Sequence, residues 1–366
     1  MRRTKSGQLS VWRCAALGAF AAIALCGCTW NEGVSMRSPY DDSQQYAEAK
    51  EERGAPLDFQ QEEAIANGED TSYVLVPETL LEIPKEYSAS CDRPGTLERL
   101  EYNTFEAFSY EDRSKPLVKD AIVYVPAAYD PLCRYNVVYL MHGGWSNQTT
   151  FLGTPQAPTV FKNQIDHAMA AGIIEPCLIV CPTYNNTSPD DAADYALALE
   201  LTARYPQELT GDLMPAVESR YSTYAENVSP EGLMASRDHR AFMGFSMGSV
   251  TTWRVFENCM AYFRYFAPAS GNAGSGVYWA DVVTQQGFKA DDFLIIAATG
   301  TNDFNGRPFA SLMEDMAQQP IFHEGFSGSD VNLVFRIGEG EGHDSHAASR
   351  YMYNAMACLW HSVEPG

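Results

Sequence analysis

Apolar residues fall into short, nearly unbroken runs at Tyr135 to Met141, Cys177 to Cys181, Ala241 to Phe245, Phe263 to Phe266, Phe293 to Ala298 and Val331 to Ile337. Runs of this length mark strands buried on both faces. Leu97 to Phe108 and Asp120 to Val125 alternate in part and also predict strands. Helical patterning occupies the intervals: Thr159 to Ala171, Ala192 to Tyr221 with a break near Pro206, Met247 to Met260, Pro308 to Gln318 and Ala347 to His361. Strand and helix in alternation predict βαβ units, hence an α/β fold with a mainly parallel central sheet and helices on both faces. The two leading strands read as an antiparallel start.

Two N-terminal segments stand outside this pattern. Arg2, Arg3 and Lys5 precede an apolar stretch from Cys14 to Leu25, which small residues connect to Cys28. That stretch is too short for an ordinary membrane-spanning helix and suits the core of an export signal. Leu25-Cys26-Gly27-Cys28 resembles a bacterial lipobox, so residues 1–27 are expected to be a lipoprotein signal peptide. Cys28 is then the lipidated residue on the outer face of a bacterial membrane, with plain secretion as the alternative. Residues 28–94 are rich in Asp, Glu, Gln and Ser and predict a largely disordered acidic tether. Val74-Leu75-Val76 is a candidate docking strand within it. The catalytic domain is expected over 95–366.

Charge narrows the partners. The net charge of -22 argues against nucleic acid, which needs clustered Lys and Arg. A neutral substrate fits better than an acidic polymer. Beyond the leader, six cysteines remain: Cys91, Cys133, Cys177, Cys181, Cys259 and Cys358. Cys177 and Cys181 lie roughly 13 Å apart along a strand, too far to bridge each other. Free thiols are expected for most of the six.

The chemistry is concentrated in a few places. Gly244-Phe245-Ser246-Met247-Gly248 fits Gly-x-Ser-x-Gly, with a strand entering and a helix leaving. A sharp strand-to-helix turn lifts the Ser hydroxyl above the sheet edge, which makes Ser246 the candidate nucleophile. A general base is needed. His343 and His346 follow the last predicted strand in a Gly-rich loop, and His343 is the choice because it is nearer the strand end. Asp303, after the strand ending at Ala298, is the candidate acid; Asp281 is a weaker alternative, and Asp344 is expected to cap a helix. The oxyanion needs two backbone donors. Met247, just after the nucleophile, is one. His142-Gly143-Gly144-Trp145 closes the third strand and assigns the second to Gly144, with Trp145 as alternative. His142 is expected to brace this loop, and Trp145 and Tyr184 are candidate aromatic substrate contacts. Such a mechanism calls for no metal or cofactor.

The set HGGW (142–145), GFSMG (244–248), FAPASG (266–271), GTNDFN (300–305) and GEGEGHD (338–344) resembles the esterase D-like branch of the α/β-hydrolases. Within that branch it is similar to the feruloyl esterase domains often attached to bacterial xylanases, over roughly 95–362. The resemblance implies the α/β-hydrolase fold, a triad of Ser246, Asp303 and His343, and hydrolysis of hydroxycinnamoyl or acetyl esters of plant polysaccharide. Mycolyltransferase-like acyl transfer and siderophore ester hydrolysis share the same motifs and stay open, as does a non-catalytic surface binding protein.

Overall fold

The computed structural model describes residues 74–360. The expected signal peptide, Cys28 and the acidic segment up to residue 73 lie outside the described residues, as does His361. Eight strands form the central sheet: β1 (Thr96–Phe105), β2 (Pro116–Val125), β3 (Asn136–Met141), β4 (Cys177–Cys181), β5 (Arg240–Phe245), β6 (Tyr265–Ala269), β7 (Leu294–Gly300) and β8 (Leu333–Gly338). Their spatial order is β8-β7-β6-β5-β3-β4-β2-β1. β2 runs antiparallel to both of its neighbours, and every other pairing is parallel. The fold is that of an α/β-hydrolase.

Alternation along the central strands divides the core in two. Val137, Tyr139, Met141 and Phe242 face one layer; Val138, Leu140, Ala241 and Met243 face the other. Strands sandwiched in this way have no wet face, which is why they read as unbroken apolar runs. The first layer holds α2 (Tyr195–Glu208), α3 (Met214–Arg220), α5 (Met247–Cys259), α6 (Gly276–Gln285) and α7 (Gly306–Ala317). The second holds α1 (Val160–Ala170) and α8 (Ser345–Met356). A short α4 (Pro230–Ala235) leads into β5.

Several elements differ from the sequence pattern. The helix does not break at Pro206; α2 passes through it to Glu208 and opens into a wide π turn, Leu209–Leu213, before α3. Proline withholds one amide and crowds the preceding turn. Burial of Tyr205, Leu209 and Leu213 holds the chain helical regardless. α6 was not legible, since Gly276-Val277-Tyr278-Trp279 carries poor helix formers. Packing decides it: Trp279 is fully buried and stacks on Trp253 of α5 with ring centroids 5.0 Å apart. β1 ends at Phe105 because the Glu106 side chain accepts from the amide of Phe108 and starts a 3-10 turn.

The packed chain also begins before residue 95. Val74–Leu75 pairs with Ser327–Gly328, Val76 and Leu80 are buried, and Leu81 donates its amide to Asn354 Oδ1 at 2.7 Å. Residues from Val74 onward therefore belong to the folded body and not to a tether, because their apolar side chains have α8 to bury against. All six cysteines of the described residues are free thiols, with burial raising those of Cys177, Cys181 and Cys259.

Candidate active site

The site sits at the carboxyl ends of the parallel strands. Between β5 and α5, Ser246 adopts φ 60°, ψ −120°, a left-handed conformation that costs a non-glycine residue of order 1–3 kcal/mol. The surroundings impose it. A Cβ on Gly244 would lie 2.6 Å from the Gly248 backbone, and one on Gly248 would lie 2.4 Å from the Met141 carbonyl oxygen. Only glycine lets strand, turn and helix come this close. The Ser246 amide donates to the Ala269 carbonyl at 2.9 Å, which ties the elbow to β6.

His343 Nε2 lies 2.8 Å from Ser246 Oγ, and its Nδ1 lies 2.8 and 2.9 Å from the two Asp303 oxygens. A carboxylate accepts only, so Nδ1 carries the proton and Nε2 faces the Ser246 hydroxyl as acceptor. The Asp303 side chain is fully buried and also accepts from the Asn305 amide at 2.7 Å. The loops after β7 and β8 are stitched together by Thr301 N–H to Gly338 O at 3.1 Å, Asn302 N–H to Glu341 O at 3.0 Å and Gly340 N–H to Thr301 Oγ1 at 2.8 Å. Gly300 permits this approach, since a Cβ there would meet the Glu341 carbonyl at 2.2 Å. The ring of His343 lies against Phe245 and Phe304, at 4.5 and 4.2 Å between centroids.

The other histidine and acid candidates lie elsewhere. His346 is largely exposed and contacts Glu341 at 3.3 Å, and Glu341 is in turn held by Arg350. Asp344 caps α8 through the amides of His346 and Ala347. Asp281 lies on α6, beside a shallow cleft with Glu257 and Tyr278.

On the opposite side of Ser246 stands the loop after β3. A Cβ on Gly143 would lie 3.4 Å from that of Ser246, so the loop's backbone borders the nucleophile. The Gly143 carbonyl is held by His142 Nδ1 at 2.7 Å and by the Tyr184 hydroxyl at 2.9 Å. In a planar trans peptide the next N–H points the opposite way. Both bonds therefore orient the Gly144 amide. His142 is fully buried, and desolvation lowers its pKa to about 4, so the ring is neutral near pH 7. Its Nδ1 must carry the proton to donate to a carbonyl, which leaves Nε2 to accept from the Thr183 hydroxyl at 2.7 Å. The Thr183 carbonyl accepts from Lys119 Nζ, which also pairs with Glu208. The Met247 amide opens α5 and, as a first-turn group, has no intrahelical partner.

Two sequence assignments change here. The Trp145 amide donates to Ala192 O at 2.9 Å, so Trp145 is not an oxyanion donor; the residue is half-exposed. Tyr184 is not a substrate contact. It is buried, stacks on His142 with centroids 4.5 Å apart, and spends its hydroxyl on Gly143. Thr183, Lys119 and Phe304 went unassigned in the sequence. Lys119 falls just before the predicted strand that begins at Asp120, and nothing local marks it as buried.

Comparison with known proteins agrees with this architecture. The Esterase family model matches residues 119–294. The endo-1,4-beta-xylanase Y of Acetivibrio thermocellus is 32% identical over 291 residues, 76% of this chain; the chain spans 24% of that enzyme's length. A mutant feruloyl esterase module from Clostridium thermocellum, complexed with sinapinate, superposes with a TM-score of 0.68 at 30% identity, covering 80% of this chain and 96% of that one. A CE1 ferulic acid esterase from the anaerobic fungus Anaeromyces mucronatus shares the fold, with a TM-score of 0.53 at 17% identity over 80% of this chain and 100% of that one.

Proposed function

The chain belongs to the Esterase family that includes the feruloyl esterases and is a carboxylic ester hydrolase; from that premise we propose that it cleaves hydroxycinnamoyl or acetyl esters of plant polysaccharide through a Ser246 acyl-enzyme. The observation that carries the mechanism is the continuous contact from Ser246 Oγ through His343 to buried Asp303. Ser246 Oγ attacks the ester carbonyl carbon and passes its proton to His343 Nε2. Asp303 holds the imidazole in the acceptor tautomer and stabilises the imidazolium that results. The carbonyl oxygen becomes an oxyanion facing the Met247 and Gly144 amides, in the positive field at the start of α5. Collapse breaks the bond to the leaving alcohol, which takes the proton from Nε2. Water then repeats the sequence, and the free acid leaves with Ser246 restored.

The hydroxycinnamoyl part of the reading draws on the sinapinate-bound module and on Trp145, a half-exposed aromatic one residue past Gly144. The export leader adds the setting. Polymeric substrate lies outside the cell, and lipidation at Cys28 would keep the enzyme at the outer face of a bacterial membrane. The test is a panel of methyl ferulate, methyl sinapate, acetylated xylan and p-nitrophenyl acetate, ranked by kcat/KM. Methyl hydroxycinnamates or acetylated xylan should lead, and Ser246→Ala should abolish turnover of all four while the fold is kept. Turnover by that variant within about tenfold of wild type would remove Ser246 from the mechanism, since a lost triad nucleophile costs several orders of magnitude.

A further inference from the structure

Phe304 is an exposed aromatic held beside the catalytic histidine. The residue is 73% exposed, yet its backbone is firmly placed. The turn carrying it is closed by Asn305 N–H to Asp303 Oδ1 at 2.7 Å and Gly306 N–H to the Asp303 carbonyl at 2.9 Å. A Cβ on Gly306 would come within 2.3 Å of the Gly300 carbonyl, so the turn has no slack. An exposed apolar residue alone means little, and Leu132 is 91% exposed with no role to offer. What distinguishes Phe304 is its neighbour. Its ring lies 4.2 Å from that of His343, tilted by 42°, on a site whose chemistry has sides.

Those sides follow from proton delivery. His343 Nε2 must reach the leaving oxygen, within about 3 Å at the moment of transfer. The alcohol half of the ester therefore sits on the His343 side of Ser246, and the carbonyl oxygen on the Gly144 side. Phe304 is an exposed ring on the alcohol side; Trp145 follows Gly144 in the loop on the other. A phenyl ring has no polar group to read hydroxyls. It offers a flat, electron-rich face, which suits the C–H-bearing face of a sugar ring.

We infer that Phe304 is a specificity-determining platform for the sugar that carries the ester, packing against the first sugar ring of the leaving alcohol. The inference rests on the reading that the alcohol is a glycan. Burying one sugar face on this ring corresponds to about a five- to tenfold gain in kcat/KM. A methyl ester has no such ring to bury.

The experiment measures kcat and KM of wild type, Phe304→Ala, Phe304→Leu and Phe304→Trp on two substrates with one acyl group: methyl ferulate and a feruloylated arabinoxylan trisaccharide. Because Phe304 also touches His343, both substrates report any disturbance of the base, and their ratio isolates the sugar contact. For Phe304→Ala the loss on the trisaccharide should exceed the loss on methyl ferulate about fivefold or more, mainly through KM. Phe304→Trp should restore the ratio, and Phe304→Leu should restore it only in part. Equal losses on both substrates, or a ratio that the flat aromatic Trp restores no better than Leu, overturn the platform and leave Phe304 as a prop for His343. The wild-type enzyme separately tests the glycan reading: preference for methyl ferulate over the trisaccharide would sink that reading, whereas a strong glycan preference that survives Phe304→Ala would sink the platform alone.

Discussion

Replacing Tyr184 by Phe removes one hydroxyl and leaves the buried ring stacked on His142. The Gly143 carbonyl keeps its bond from His142 but loses the second donor, at 2.9 Å. A net hydrogen bond of this kind contributes about 0.5–1.5 kcal/mol. If the peptide then tilts, the cost falls on the Gly144 N–H where negative charge develops, that is, in the transition state alone. At about 1.4 kcal/mol per factor of ten, kcat should fall by roughly 2- to 12-fold while KM stays near the wild-type value. Steady-state kinetics on methyl ferulate, beside thermal unfolding of the same preparations, provide the assay. Thr183→Val, which withdraws the hydroxyl from His142 Nε2, should act in the same direction through the ring. The reasoning fails if Tyr184→Phe loses stability but keeps kcat, or if the change appears in KM alone, because the hydroxyl would then be supporting the core or the ground-state complex.

Asp303→Asn should keep the geometry but favour the wrong His343 tautomer, lowering kcat by about 10⁴-fold as in other triads; a loss below tenfold, with Asp281→Asn severely impaired, would reassign the acid. The second expectation concerns pH. His142 is depressed from 6.5 to about 4 by burial, so the unfolded chain binds its proton first as pH falls. That stability is complete above pH 6.5, declines between 6.5 and 4, and has been lost below about 4, with an amplitude of about 3 kcal/mol. Urea unfolding at stepped pH should show this decline in wild type and a flatter profile in His142→Gln; parallel profiles would mean that His142 is already neutral in the unfolded chain or titrates at its ordinary value in the folded one.

Much of this molecule was written in short-range pattern. Unbroken apolar runs such as Val137 to Met141 announce strands covered on both faces, because a parallel sheet carries helices above and below. Gly244 and Gly248 mark the elbow because no other residue tolerates backbone atoms 2.4–2.6 Å from a Cβ position. The positions of Asp303 and His343 just past successive strands pointed to one rim, and the structure brings His343 onto Ser246 and Asp303 onto His343. The start of the packed body at Val74 was harder to read, since its few apolar residues gain a partner only once α8 is in place.

What only the tertiary structure decided is where side chains go once a strand has ended. Alternation assigns faces within β3 and β4, but past Met141 and Cys181 the chain turns freely, so nothing local told that Tyr184 turns inward onto His142 while Trp145 and Phe304 turn out. The Trp145 amide was a plausible donor until Ala192, from a loop distant in sequence, claimed it. Pro206 likewise stays in a helix because buried neighbours on other elements hold it there. Local patterns encode backbone and burial; the aim of a side chain or an amide at the sheet's edge is set by contacts between segments far apart in the chain, and these form only when the fold closes.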